Sequence, residues 1–262
     1  MKKRTTMKHW AIAISLMILG GGMSACAMGG ASWKEEVLLH DGSKIHVERN
    51  LIRKGRHEPF QRPSIGEQRL SFTLPATKRA VIWKDEFSED LGSANFLPMM
   101  LEIDKDTAYL VVSPMGCLSY NKWGRPNPPY VVFKYQGKTW DRIALEELPA
   151  RFKTPNLIIS APDDAVKQVG GNLISAEKVK ELNNRRVAAG TEQPHLKQIV
   201  REPLKPGTVG VSCPDYGSPR YMSPKAPNPS GPPPKVVSNN QRSWITEQRL
   251  TLHGSRNHGD TI

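Results

Sequence analysis

Two cysteines stand in contexts that could supply a nucleophile. They occur in Gly116-Cys117-Leu-Ser119 and in Gly210-Val-Ser-Cys213. A reactive thiolate needs a lowered pKa, which a neighbouring histidine often provides, and no histidine lies close to either cysteine in the sequence. The chain also lacks a Gly-x-Ser-x-Gly elbow, a His-Glu-x-x-His helix motif, a phosphate-binding glycine loop and a dinucleotide fingerprint. A hydrolase remains an alternative, because acid pairs such as Glu146-Glu147 and Asp163-Asp164 could meet distant catalytic partners in the folded chain.

A second group with binding chemistry is a run of basic side chains between positions 49 and 62. Proline and glycine in the same stretch indicate a loop or an irregular strand edge. The cluster is an anion-binding candidate for lipid headgroups or glycan phosphates, at about 1 kcal/mol per residue on a charged membrane surface. A plain solvated loop is the alternative. The candidate residues are Arg49, Arg53, Lys54, Arg56 and Arg62.

Aromatic residues are dense between positions 120 and 140. Tyr120 and Trp123 lie outside the predicted strands, so these two rings are the candidates for stacking on a sugar. The other aromatic residues fit a sheet better. A two-residue turn at Gln136-Gly137 predicts that Phe133 lies opposite Trp140 as a cross-strand pair.

Two histidines flank a predicted hairpin turn at Asp41-Gly42, a pair that strongly favours a two-residue turn. That turn sets Leu38 opposite Ile45 and projects His40 and His46 from opposite faces of the ribbon. We therefore predict no metal site here unless the turn is longer than two residues. No cofactor is predicted elsewhere either, because no other stretch has ligand spacing.

The N-terminal stretch determines the compartment in which these side chains act. Basic residues at positions 2 to 8 precede an apolar run from Trp10 to Leu19, and glycines follow. This is the layout of a secretory signal. The apolar run is about half the roughly 20 residues that a membrane-spanning helix needs.

The end of this signal resembles the lipobox of bacterial lipoproteins. Met23-Ser24-Ala25-Cys26 matches three of the four lipobox positions, with Met in place of the usual leucine. The resemblance implies that Cys26 becomes the acylated first residue and that Ala27 directs the protein to the outer membrane, facing the periplasm. The alternative is a secreted, non-lipidated protein cleaved after Ala27, since Ala25-Cys26-Ala27 also satisfies the small-x-small rule. The rest of the chain is similar to envelope lipoproteins of uncharacterised function, which implies no activity.

Export leaves Cys117 and Cys213 as the cysteines of the folded domain. In an oxidising periplasm we predict a disulfide between them, with two free thiols as the alternative. The enclosed loop of about 96 residues corresponds to roughly 4 to 5 kcal/mol of stabilisation in the chain-entropy model.

The net charge of the chain indicates which kinds of partner it favours. The chain of 262 residues has a net charge of +12, and loss of four basic residues with the signal leaves +8. A basic periplasmic protein favours anionic polymers such as lipopolysaccharide and peptidoglycan, or an acidic envelope protein. Nucleic acid is not expected as a partner, because the protein is exported.

Short β-prone runs separated by polar turns dominate the sequence up to about residue 155. They include alternating Leu70, Phe72 and Leu74, and further runs at 79–84, 97–103, 107–113, 130–135 and 138–143. We predict a mainly β fold built from hairpins and arranged as an antiparallel sandwich, a barrel or a partial propeller. Residues 157–159 are a further candidate strand.

The last hundred residues change in character. Caps and periodicity predict short helices at 162–169 and 175–186. Residues 203–234 contain ten of the 22 prolines, which favours an extended conformation. The predicted organisation is a signal peptide at 1–25, a lipidated tether at 26–33, a β-rich domain at 34–200 and a partly disordered tail at 201–262. Residues 244–252 are a candidate terminal strand.

These features favour a non-enzymatic envelope lipoprotein that acts as a binding or assembly component. The competing class is a periplasmic hydrolase that acts on glycan or peptidoglycan. Convergent carboxylates 5–10 Å apart would favour hydrolysis, whereas a shallow surface would favour binding.

Overall fold

The computed structural model describes residues 30–54, 57–187, 193–208 and 210–215. In this part of the chain it contains nine strands in two sheets and four short helices. The mainly β fold predicted from the sequence is confirmed. Neither sheet closes into a barrel within the described residues, and the two sheets share one core in the manner of a sandwich.

The first sheet is an antiparallel meander with one short parallel strand added at its edge. Its strands alternate between buried and exposed side chains, as expected for a sheet that is covered on one face only. Its spatial order is β4-β3-β2-β1-β9, formed by β1 (Gly30–Leu38), β2 (Lys44–Arg53), β3 (Ile65–Thr73), β4 (Ala80–Asp85) and β9 (Leu173–Ile174).

The second sheet is antiparallel and more deeply buried. Nearly every residue of its two longest strands is buried, which is the pattern of strands covered on both faces. Its spatial order is β5-β6-β7-β8, formed by β5 (Phe96–Asp104), β6 (Thr107–Pro114), β7 (Val131–Tyr135) and β8 (Trp140–Ile143).

Four helices connect or cover the sheets: α1 (Gly116–Lys122), α2 (Pro162–Val169), α3 (Ala176–Val187) and α4 (Pro194–Lys197). Helix α2 spans the predicted residues. Helix α3 starts one residue later than predicted, after Ser175, whose Oγ accepts a hydrogen bond from the Lys178 backbone N–H at 3.3 Å. Helices α1 and α4 were not predicted, because proline-rich surroundings concealed them.

Three apolar clusters show how the layers are stacked. The largest lies between the two sheets and includes Trp83, Phe96 and Phe133. A second cluster covers the other face of the second sheet with residues from 145–152 and 196–200. A third packs α2 and α3 against the inner face of the first sheet. The outer face of the first sheet is absent from these clusters.

The turn between β1 and β2 is longer than predicted. Leu38 pairs with Lys44 and not with Ile45, so the predicted register is wrong by one residue. Gly42 has a φ of 83°, and the Asp41 carboxylate accepts the Ser43 backbone N–H at 2.9 Å. The Asp-Gly pair therefore shapes a three-residue loop with a left-handed last residue, which is the next most common hairpin type.

The turn between β7 and β8 is also longer than predicted. Trp140 pairs with Tyr135, at a ring-centroid distance of 5.3 Å, and Phe133 pairs with Arg142. The predicted Phe133–Trp140 pair is therefore wrong. The aromatic residues still pack in the sheet core, but the four-residue loop with Gly137 at a φ of 84° shifts the register.

The strand predicted at residues 157–159 is not formed, although these residues are buried as their apolarity implies. Their backbone groups bond to isolated partners and not to a strand ladder. The Leu157 N–H donates to the Met99 carbonyl at 3.1 Å, and the Ile158 N–H donates to the Glu35 carboxylate at 3.0 Å.

Asn156 attaches the same stretch to the second sheet. Its side-chain amide donates to the Leu101 carbonyl at 2.9 Å and accepts the Leu101 backbone N–H at 2.9 Å. This pair of bonds imitates one rung of a β ladder. Residues 156–159, here called the seam segment, are therefore bonded to β5 on one side and to β1 on the other.

A buried ion pair completes the attachment of the seam segment. Glu35 is 0% exposed and Arg49 is 2% exposed, and the Arg49 Nη1 lies 2.9 Å from the Glu35 Oε1. The same carboxylate accepts the Trp33 indole N–H at 2.7 Å, while Arg49 donates to the Ile158 carbonyl at 2.8 Å. Each buried charge therefore has several partners, which offsets its loss of hydration.

We predict that Arg49→Ala lowers the free energy of unfolding by about 3–5 kcal/mol, because it leaves the Glu35 carboxylate buried without its cation. Urea denaturation followed by tryptophan fluorescence measures this loss. Arg185→Ala, whose side chain is 66% exposed, is the control and should change stability by less than about 0.5 kcal/mol. Equal, small effects of both substitutions would contradict the central role of the ion pair.

Candidate functional site

The outer face of the first sheet is grooved. Two adjoining grooves of about 470 Å³ and 560 Å³ lie on it. Both are lined in part by Glu48 and Ser71, so they form one continuous surface across β2 and β3. We call this surface the outer face.

The alternation of each strand produces the outer face. In β2 the odd positions 47, 49 and 51 are buried, whereas the even positions project outward. The register then aligns Lys34, Glu48 and Ser71 in one row across β1, β2 and β3. Cross-strand neighbours are about 4.5–5.5 Å apart, so such a row presents adjacent polar groups to a ligand.

Charge differs between the two ends of the outer face. The mixed half, next to the start of β1, carries both signs, whereas the basic half, next to the β1–β2 turn, carries mostly positive charge. Within the described residues, Lys34 and Lys78 of the basic half form no salt bridge, although Glu48 lies opposite Lys34 across the strands. The mixed half contains Glu48, Glu67, Glu86, Arg69 and Lys84, and the basic half contains Lys34, Lys44, Lys78 and His46.

His40, in the β1–β2 turn, forms a polar cluster with Glu102, Arg151 and Asp104. The Glu102 Oε2 accepts both the backbone N–H and the Nδ1–H of His40, each at 3.0 Å. Arg151 donates from Nε to the His40 Nε2 at 3.2 Å and also forms an ion pair with Asp104. Because arginine is always a donor, the His40 Nε2 must be the acceptor and Nδ1 must carry the proton. Burial raises the pKa of Glu102, although the bonds from His40 oppose this rise.

The bonds around His40 suit a structural role better than a catalytic one. A carboxylate that orients a histidine is half of a general-base arrangement. Here, however, the second ring nitrogen of His40 is occupied by Arg151, and among the described residues no hydroxyl or thiol bonds to the ring. Its ring also packs on Phe152 at a centroid distance of 4.7 Å. The cluster joins the β1–β2 turn to β5.

The two histidines of the first hairpin have different surroundings. His40 belongs to the cluster with Glu102, whereas His46 is exposed on the outer face, paired with Glu36 across the strands. In the described part of the chain, no group of three or more histidine, cysteine or acidic side chains is arranged to hold a metal ion.

Four of the five members of the predicted anion-binding patch are paired with carboxylates in the described part of the chain. Arg49 is buried and bonded to Glu35. Lys54 forms an ion pair with Glu67 and lies 4.6 Å from the centre of the Phe87 ring. Arg56 lies outside the described residues.

Arg53 and Arg62, the remaining members of that patch, bind the N-terminal turn of α2. Arg53 makes a two-bond contact with Asp163 at 2.9 Å and 2.8 Å. Arg62 donates to Asp163 at 2.6 Å and also pairs with Asp164. Burial opposes ionisation of Asp163, but the bonds from the two arginines outweigh it and lower its pKa to about 2. The acid pair Asp163-Asp164 is therefore structural.

The predicted glycan-contact residues are inside the protein. Tyr120 and Trp123 are 4% and 3% exposed. The Trp123 indole donates to Asn95 at 3.1 Å and its ring centre lies 4.5 Å from that of Phe96, while Arg125 lies over the Tyr120 ring. Stacking on a sugar requires an exposed ring face, so this prediction is wrong. The alternation that revealed the strands could not show that α1 turns these rings inward.

Cys117 and Cys213 are joined in the structure, with the two sulfur atoms 2.12 Å apart and the Cα atoms 5.3 Å apart. The bond connects α1 to residues 210–215, which also receive hydrogen bonds from Arg125 to the Cys213 carbonyl at 2.8 Å and to the Pro214 carbonyl at 3.2 Å. Neither sulfur is then available as a nucleophile.

Several sequence predictions lie outside the described residues. Among them are the signal peptide, the lipid attachment at Cys26, the proline-rich stretch after residue 215 and the candidate strand at 244–252. They remain predictions.

Comparisons with protein-family models, curated proteins and solved structures found no match. Among the described residues, no helix has both the length and the apolarity needed to cross a bilayer. The function is therefore argued from the geometry of the chain itself.

The outer face was missed at the level of sequence. Its signal was present in the polar, even-numbered positions of β2 and in the odd-numbered positions 67, 69, 71 and 73 of β3. That pattern identifies a solvent-facing strand surface, but it does not show that the surface is grooved. The grooves are lined by side chains from several strands, so they exist only in the assembled sheet.

The ion pairs of Asp163 with Arg53 and Arg62 predict that the stability of the protein depends on pH. An unfolded aspartate titrates near pH 3.9, so a folded pKa of about 2 stabilises the protein above pH 4, and this contribution is lost as the pH falls towards 2. With Arg62 partly exposed, the contribution is about 1–2 kcal/mol. Asp163→Asn should therefore lower the free energy of unfolding by at least about 1–2 kcal/mol at pH 7 and by much less at pH 2.5. Urea denaturation at the two pH values measures both losses.

Asp106→Asn is the matched control, because Asp106 is exposed at the β5–β6 turn. It should leave stability unchanged at both pH values. An Asp163→Asn penalty that is the same at pH 7 and pH 2.5 would contradict the assignment of the acid-labile contribution to this cluster.

Proposed function

We propose that this protein is a lipid-anchored component of the bacterial envelope that binds a periplasmic partner through its outer face without catalysing a reaction. The observation that carries the proposal is the open, grooved outer face, in contrast to covered faces elsewhere. Support also comes from the candidate catalytic groups, since the described cysteines, His40 and the acid pair of α2 are all engaged in internal bonds.

The anchor would orient the domain. Strand β1 begins at Gly30, four residues after Cys26. Four extended residues span at most about 14 Å, so the start of β1 would lie close to the membrane surface. The mixed half of the outer face shares this end of the sheet, and the basic half lies at the other end, facing the periplasm.

The basic half favours an anionic partner. Lys34 and Lys78 supply charge without a competing salt bridge in the described part of the chain. Peptidoglycan, with its free carboxylates, is the partner chemistry that fits a basic surface directed away from an outer membrane. Such contacts weaken as salt screens them over about 10 Å at 0.1 M.

A glycan or peptidoglycan hydrolase is the second candidate. The mixed half supports it, because Glu48, Glu67 and Glu86 line the same groove. Hydrolysis needs a protonated and an ionised carboxyl about 5–10 Å apart on either side of the bond. Release of soluble fragments from sacculi by the purified protein, with loss in Glu48→Gln, would favour this alternative over simple binding.

The anchor is tested by Cys26→Ser. This change removes the thiol that would carry the lipid, so it should abolish incorporation of labelled palmitate and release the protein from the membrane pellet. Cys117→Ser is the control and should keep both properties. If Cys26→Ser keeps both, the protein is not anchored through Cys26. Absence of label and of pelleting in the parent protein would instead support the secreted alternative.

The binding surface is tested by the double change Lys34→Glu with Lys78→Glu. Reversing two charges on the basic half should weaken co-sedimentation with purified sacculi about tenfold at low salt, because attraction becomes repulsion. Lys153→Glu with Lys105→Glu reverses two exposed charges on the side of the second sheet and should have little effect. Equal weakening by both pairs would mean that total charge, and not the outer face, controls binding.

A further inference from the structure

Phe60 is an apolar side chain fully exposed to water. Its relative exposure is 108%, the largest among the exposed apolar residues of the described chain. The residue follows Pro59 in a turn closed by a hydrogen bond from the Gln61 N–H to the Glu58 carbonyl at 3.0 Å. Proline at the second turn position and a φ of 68° at the third indicate a type II turn, in which the third position normally requires glycine.

Two unfavourable features therefore coincide at Phe60. A bulky side chain at positive φ is strained, and its exposed ring gains nothing from burial in the folded chain. The turn is presented by a loop whose ends are joined through the Lys54 N–H and the Ser64 carbonyl at 3.1 Å. Strain that is retained at an exposed residue is typical of a contact site.

The loop between β2 and β3 lies at the end of the first sheet where β1 begins. Gly30 pairs with Ile52, and Arg53 pairs with Ile65, so the loop between β2 and β3 lies beside the first residue of β1. Gly30 is the fourth residue after Cys26. A lipid on Cys26 would therefore hold this end of the sheet within about 14 Å of the acylated residue.

We propose that Phe60 inserts into the interfacial region of the membrane that holds the lipid anchor, as a second and apolar contact. This inference rests on the proposed lipid anchor. A single acyl-type attachment leaves a domain free to rotate on its tether, whereas an additional apolar contact beside the tether restricts its orientation. The basic half of the outer face would then be directed away from the membrane.

The charges beside the loop indicate that this contact is apolar and not electrostatic. Lys54 is paired with Glu67, and Arg62 is paired with Asp163 and Asp164. Among the described residues, these two neighbouring cations are therefore paired with carboxylates of the protein itself. Contact with the membrane should be as strong on zwitterionic vesicles as on vesicles containing anionic lipid.

A fluorescent probe can report the depth of residue 60 directly. Phe60→Cys would be labelled with a small thiol-reactive fluorophore in the purified, acylated full-length protein and mixed with phosphatidylcholine vesicles that carry brominated acyl chains. We expect roughly half of the fluorescence to be quenched, because residue 60 lies at the headgroup and acyl boundary. The quenching should be unchanged when anionic lipid is added.

Lys78→Cys is the matched control. Lys78 is exposed and also has a positive φ, of 55°, but it lies in the β3–β4 turn at the opposite end of the sheet. Its probe should remain unquenched. Phe60→Ser in the same acylated protein should dissociate from vesicles about tenfold faster, whereas Lys78→Ser should dissociate at the parent rate.

Vesicle flotation and palmitate labelling, measured on the same samples, separate the two proposals. Flotation with quenching at residue 60 alone supports the inference. Flotation with no quenching at residue 60, or with equal quenching at residues 60 and 78, overturns the inference while the lipid anchor stands. Loss of both flotation and palmitate label overturns the anchor and, with it, the membrane contact of Phe60.

Discussion

The buried pair of Glu35 and Arg49 is the interaction on which the architecture depends. The two residues lie on neighbouring strands of the first sheet, and together they satisfy both backbone groups of Ile158. Asn156 bonds the same seam segment to β5. An irregular stretch without a strand ladder can therefore be buried between the sheets, because side chains supply the hydrogen bonds that a neighbouring strand would have supplied.

This arrangement makes the two sheets unequal. The second sheet is covered by the first sheet on one face and by residues 145–152 and 196–200 on the other. Within the described residues, the first sheet is covered by the second sheet and by helices on its inner face only. Polar residues therefore collect on the outer face, where Lys34 and Lys78 have no salt bridge among the described residues. In the part of the chain that the structure describes, the outer face is the open sheet face, and we propose it as the place where a partner binds.

Local patterns predicted eight of the nine strands and the two longer helices, since alternation and caps depend on residues close in sequence. The short β9 was not predicted, and the strand predicted at 157–159 is not formed. The patterns did not predict turn lengths, because extra residues in a loop change every cross-strand pair, as at Trp140, where the loop has four residues and not two. They also failed to predict the partners of charged groups. Arg49 lies in a basic run, yet its odd position in β2 directs it into the core, where a carboxylate from β1 meets it. The grooves form only when several strands are assembled, so no short stretch of the sequence predicts them.

The central claim is that the outer face contacts a partner in the cell envelope. Site-specific photo-crosslinking in intact cells tests it most directly, with the crosslinker placed at Ser71, which lines both grooves. A crosslinker at Asp106, on the exposed β5–β6 turn, provides the comparison. The account predicts a discrete crosslinked product, or trapping on peptidoglycan, from position 71 and none from position 106. Products from position 106 but not from position 71 would contradict it.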